Sequence, residues 1–103
     1  MDLNRIKLLF TELNNYLINY NDSSIASSKK MVGNAVDILE SDESDDIKKK
    51  YIIEIYKLLY TGRGGLTEYY IWDNDYEIRM KLNEPLERIR NDLWSIERSN
   101  IWF

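Results

Sequence analysis

The chain has 103 residues, enough for one modest hydrophobic core in a single domain (1–103), and its 44% hydrophobic and 31% charged residues are those of a globular protein. It contains neither cysteine nor histidine, which removes disulfides, thiolate chemistry, most zinc sites and Ser-His or Cys-His catalysis together. A net charge of -4 and a pI near 4.8 oppose binding to nucleic acid, whose phosphates need a positive surface, and suit a basic protein partner.

Met1-Asp2-Leu3-Asn4-Arg5 lacks the basic and apolar segments of a secretory signal. No apolar run approaches the roughly 18 to 20 residues that span a bilayer. The expectation is a cytoplasmic protein with no membrane association. Leu3, Ile6, Leu9, Phe10, Leu13, Leu17 and Tyr20 recur every three or four residues, which predicts a helix over about 2–20 with one apolar face. Asn21-Asp22-Ser23-Ser24 ends it, and Asp22, Ser23 or Ser24 is placed to cap a second helix over 24–40. Its weaker stripe is Ile25, Val32, Ala35, Ile38 and Leu39; Gly33 marks either a close helix approach or a tolerated surface position.

Glu40-Ser41-Asp42-Glu43-Ser44-Asp45-Asp46 carries five carboxylates in seven residues, directly before Lys48-Lys49-Lys50. Acids in the first turn oppose the positive end of the helix dipole, and a serine or aspartate caps the amides, so a third helix is expected over 44–61. A calcium loop counted from Asp42 would need glycine at Ile47 and glutamate at Ile53, so no metal is expected there. Ile47, Tyr51, Ile52, Ile55, Tyr56, Leu58 and Leu59 make its apolar face broad, which predicts that this helix is the central one.

Tyr60-Thr61-Gly62-Arg63-Gly64-Gly65 holds three of the four glycines. Gly62 stands where a left-handed helix cap belongs. The stretch lacks both a preceding strand and the Gly-Lys-Ser/Thr of a phosphate loop, yet Arg63 and the glycine amides could serve a small ligand or anion. That leaves a small-ligand or anion-binding domain using Gly62–Gly65 as an alternative function. After it, Tyr69, Tyr70, Trp72 and Tyr76 place four rings within eight residues, to cover the core or to meet a partner.

Two readings compete for the segment that follows. Tyr76, Ile78, Met80 and Leu82 alternate with charged residues, so a β-hairpin over 67–82 would make the fold α+β. Ile78, Leu82, Leu86, Ile89, Leu93 and Ile96 instead follow helical spacing behind an Asp73-Asn74-Asp75 cap. The stripe keeps its phase across Pro85, which favours a kinked helix over 75–98; a helix restarting at Asn83 with Pro85 in its first turn is an intermediate. The preferred fold is mainly α, a bundle of four helices with a glycine-rich break and an extended aromatic segment over 62–74. Asp73, Asp75, Glu77 and Glu84 match calcium-loop positions, but Ile78 occupies the required glycine and Arg79 and Lys81 oppose a cation.

The residues from Leu59 to Ile96 resemble a set of short bacterial proteins grouped as a domain of unknown function. The resemblance is carried by Gly64-Gly65, Glu68-Tyr69 and Asn83-Glu84-Pro85-Leu86-Glu87-Arg88-Ile89-Arg90-Asn91-Asp92-Leu93-Trp94, with Pro85 a departure from the pattern. It implies a mainly helical fold and no known activity.

With no catalytic set, cofactor motif or metal site, the expected function is a non-catalytic protein–protein interaction domain, of the kind that immunity proteins and adaptors represent. The candidate contact residues are Arg63, Tyr69, Tyr70, Trp72 and Tyr76. A self-associating structural protein is the other alternative, through Ile101, Trp102 and Phe103 near the end of the sequence.

Overall fold

The stripe that begins at Leu3 closes into helix α1, Leu3–Leu17, which buries Ile6, Leu9, Phe10, Leu13 and Leu17. The structure, a computed structural model, describes residues 3–20, 23–60, 66 and 69–100, the last four of these as backbone. No glycine stops α1. Its end tightens into three-residue bonds, Asn19 N to Tyr16 O at 3.3 Å and Tyr20 N to Leu17 O at 3.0 Å. Asn19 Nδ2 donates to Asn15 O at 3.2 Å and Lys29 Nζ to Tyr20 O at 2.7 Å, so donors satisfy the terminal carbonyls that a helix leaves orphaned.

Ser23–Ile25 forms a short 3-10 turn that runs into α2, Ala26–Glu40. The cap expected from Asp22, Ser23 or Ser24 does not stand at the N-cap of α2, and Asp22 lies outside the described residues. The N-cap is Ile25 and makes no side-chain bond, because the 3-10 turn has already taken Ser23 and Ser24 into the helical path. Gly33 lies opposite Asn14 of α1, whose Oδ1 would be 3.8 Å from an added Cβ.

Ser41 leaves α2 in an extended conformation, and its amide and hydroxyl both donate to Ile38 O, at 3.2 and 2.6 Å. Three residues later Ser44 caps α3, Asp45–Tyr60, accepting the Ile47 amide at 3.3 Å. Asp45 and Asp46 fill the first turn and Lys57 the last, so both ends of the dipole meet an opposite charge. Leu66 packs at the end of α3: its amide donates to Leu59 O at 2.8 Å, and it is buried.

Helix α4, Tyr76–Asn100, runs through Pro85 without interruption. The helical stripe therefore prevails over the hairpin, and no strand occurs among the described residues. Tyr76, Ile78 and Met80, which a half-buried strand would have covered, are 63%, 47% and 48% exposed, whereas Ile89, Leu93 and Ile96 are buried. Asn83 sits inside the helix rather than at a restart. Pro85 withdraws the amide that would serve Lys81 O, and Lys81 lies on the exposed face. Neighbouring carbonyls gain side-chain donors: Asn83 Nδ2 reaches Arg79 O at 2.8 Å, and the Tyr16 hydroxyl bonds Leu82 O.

The helices form a bundle in which α1 packs on both α2 and α4, and α2 on α3. Tyr16 meets Leu82 and Glu12 meets Arg88, so α1 and α4 run antiparallel. The inner helices are thus α1 and α2, not α3. Much of the breadth of α3's apolar face is outward, with Ile47 49% and Leu58 58% exposed. No comparable backbone approach joins α3 to α4; the rings of Tyr56, Tyr60 and Trp94 stand in that seam instead.

Candidate functional site

Six residues of α4, about 9 Å of helix, continue from the Leu82 contact with α1 to Tyr76, and this end carries the exposed rings. Its cap is built locally. Asp75 Oδ1 accepts the Glu77 and Ile78 amides at 2.9 and 3.3 Å, and Asp73 Oδ1 accepts the Asp75 amide at 2.8 Å. Asp73 and Asp75, two of the four acids that match calcium-loop positions, are therefore engaged in holding a helix start. Among the described residues no group of three metal-ligating side chains is gathered, and no helix is long and apolar enough to cross a membrane.

Ahead of the cap, the extended segment is clamped to α4 by Asn83, which is 4% exposed. Its Oδ1 accepts the Ile71 amide and its Nδ2 donates to the Ile71 carbonyl, both at 2.8 Å. One side chain thereby pairs both backbone groups of Ile71, as a neighbouring strand would.

The clamp fixes where Trp72 lies. Arg79 stacks its guanidinium 4.5 Å from the Trp72 ring centroid and 5.4 Å from that of Tyr76, and Arg79 Nη1 donates to Asp73 O at 3.3 Å. The Trp72 indole N–H reaches Asn74 Oδ1 at 3.3 Å. Trp72 is 69% exposed and Tyr76 63%. An indole, a phenol and a guanidinium thus form one preorganised edge, rimmed by Asp75 and Glu77.

The four rings of this segment do not share one role. Tyr69 is half-buried against the core and Tyr70 half-exposed, and with Tyr60, Leu66, Asn83 and Arg90 they line a small cavity of about 130 Å³. Trp72 and Tyr76 are the pair that meets solvent around Arg79. Arg63, the Gly62–Gly65 loop and its cap, and Ile101, Trp102 and Phe103 lie outside the described residues. The acidic run over 40–46 stands at the start of α3, a helix length of about 24 Å from the seam residues at its end.

Sequence reasoning missed Asn83, Arg79 and the seam residues Tyr56, Tyr60, Arg90, Asn91 and Trp94. Asp75 was recognisable as a cap because capping is local in sequence. Asn83 and Arg79 act on residues brought to them by the fold, and helical spacing marks neither as unusual.

Two phenols and one ion pair carry the electrostatics. Burial, helped by the Tyr20 hydroxyl, raises the Tyr16 phenol above its ordinary value. Tyr60 is raised by burial and by Tyr56, with Arg90 opposing. Arg88 Nη1 donates to Glu12 Oε1 at 3.1 Å and its second nitrogen pairs with Oε2, a fork that lowers the Glu12 carboxyl. This exposed pair joins α1 to α4 and lies away from the aromatic edge.

No protein family, curated protein or solved structure matches this chain.

Proposed function

We propose that this protein is a non-catalytic interaction domain that binds a basic protein partner, in the manner of an immunity protein, through the edge formed by Trp72, Tyr76 and Arg79. The carrying observation is the stack of these three residues at the start of α4, with both rings largely exposed. Trp, Tyr and Arg dominate the energetics of protein interfaces because each brings a large rigid surface with a polar tip. Here their geometry is set before binding by the Asn83 clamp and the two aspartate caps, which lowers the ordering cost of association. Asp75 and Glu77 beside the rings supply the negative charge that a basic surface seeks. The absence of histidine and cysteine supports a non-catalytic role.

The test is cross-linked affinity capture from the source cell, with wild type beside a Trp72→Ala/Tyr76→Ala variant. Wild type recovers a basic partner in near-equal amount, in a complex that weakens as salt is raised. The variant loses it while keeping its thermal midpoint, since both side chains are mostly in solvent. Repeated recovery of no partner, or of one indifferent to the two substitutions, overturns the reading.

A further inference from the structure

Helix α4 divides at Pro85. Among the described residues, the apolar side chains it buries are Ile89, Leu93 and Ile96, all beyond the proline, where Arg88 also forks to Glu12 of α1. No apolar side chain from 71–84 is buried, whereas Tyr69 and Leu86, which flank that stretch, pack against the core. Tyr69 and Leu86 line the same cavity of about 130 Å³. The stretch thus leaves the core and returns to it at one place, as a compact surface excursion with close ends does.

Bonding within 71–84 is self-contained. Asn83 holds Ile71 and Arg79 O, Arg79 holds Asp73 O and stacks on Trp72 and Tyr76, and Asp73 and Asp75 build the helix cap. Among the described residues, one side-chain hydrogen bond enters from outside: the Tyr16 hydroxyl of α1 donates to Leu82 O.

That bond falls where α4 is weakest. The neighbouring carbonyl, Lys81 O, has no amide to receive because Pro85 has no N–H, and proline is a recurrent cause of helix bending. Tyr16 stands one turn from Glu12, so α1 holds α4 on both sides of Pro85. The Tyr20 hydroxyl donates to the Tyr16 oxygen at 3.4 Å, which leaves the Tyr16 proton for Leu82 O, and burial raises the Tyr16 phenol so that it keeps this proton.

We propose that residues 71–84 form a preassembled arm that pivots as one body at its base, between Tyr69 and Pro85, and that Tyr16 is the positioning residue that latches this arm to α1. The pivot carries Trp72, Tyr76 and Arg79 together, so its use in binding rests on the reading of that edge as the partner's site.

The test is NMR on the free, full-length chain. Residual dipolar couplings, measured in a neutral gel, are fitted separately to the amides of 76–84 and 86–96. In wild type the two parts show matching order. Tyr16→Phe keeps the ring and removes only the hydroxyl; it lowers the order of 76–84 by roughly 30%, the span between rigid and flexible backbone, and leaves 86–96 unchanged. The Asn83–Ile71 and Arg79–Trp72 proximities persist, because the arm moves without coming apart. Adding Pro85→Ala restores the amide for Lys81 O and returns the order to the wild-type level. Should Tyr16→Phe lose its dispersed spectrum, relaxation dispersion decides: wild type shows exchange across 71–84 with one common rate, and Pro85→Ala alone suppresses it. The proposal is overturned if Tyr16→Phe leaves the order of 76–84 unchanged, if the Asn83–Ile71 proximity is lost, or if the same exchange runs through 86–96. A rigid arm would leave the partner site standing, and failure to capture a partner would leave the pivot standing.

Discussion

Asn83 carries more of the candidate surface than any other single residue. It makes three hydrogen bonds, two to Ile71 and one to Arg79 O, from a nearly buried position. Asn83→Ala leaves both backbone groups of Ile71 without their partner, and unmaking hydrogen bonds to buried groups costs about 1–3 kcal/mol. Urea unfolding is expected to show a loss of about 2 kcal/mol, and the Ile71 amide to exchange faster than in wild type. A variant with wild-type stability and an equally protected Ile71 would show that the clamp is incidental. At this scale legibility follows sequence distance. The serine cap of α3 and the aspartate cap of α4 could be read from the chain, because a cap and its amides are three residues apart. The Asn83–Ile71 pairing spans 12 residues and has no such spacing rule.

Among the elements, α2 offers the plainest prediction. Gly33 lies within a helix, where glycine is about 1 kcal/mol less favourable than alanine, and an added Cβ would meet Asn14 Oδ1 at an ordinary 3.8 Å. Gly33→Ala is therefore expected to stabilise by about 0.5–1 kcal/mol, seen as a higher denaturation midpoint at unchanged m-value; a lower midpoint would mean that α1 and α2 cannot admit the methyl group. The four helices were legible because each has an apolar stripe with a period near 3.6, and α4 kept that phase across Pro85. What misled at the start of α4 was a real alternation of apolar and charged residues. Tyr76, Ile78 and Met80 alternate without being half-buried, since this end of the helix runs on past the Leu82 contact and the candidate surface uses their exposure. The missing cap of α2 is the converse case: good cap residues were drawn into a 3-10 turn.

At the scale of the whole molecule, pH reports on how the helices are joined. The Tyr60 phenol is held above its ordinary 10.0, so the folded state keeps a proton that the unfolded state releases. Stability from this group is complete below about pH 10 and declines as pH rises through the folded value. Melting temperature is expected to fall above pH 10, and less steeply in Tyr60→Phe; identical slopes would exclude Tyr60 as the cause. Glu12 has the opposite sign. Its carboxyl is held below 4.5 by Arg88, so its contribution is present above that pH, disappears as acid protonates the folded form, and is small because the pair is exposed. Neither the order of the helices nor the open seam was legible. Apolar breadth suggested α3 as the centre, but breadth along the chain does not say which residues face inward, and Ile47 and Leu58 turned to solvent.

The two ties between α1 and α4 join residues 66 and 76 positions apart, whereas α1, α2 and α3 each pack on a neighbour in the chain. Closing so long a loop is entropically slower than pairing adjacent helices. The order of assembly follows from this: α1, α2 and α3 form first, and α4 docks last onto α1. By the same logic α4 is the first helix to leave under native conditions, as a cooperative unit below the global unfolding energy. Native-state hydrogen exchange would then show the amides of α4 opening together and ahead of those of α1 and α2, and simultaneous opening of all four helices would refute that order.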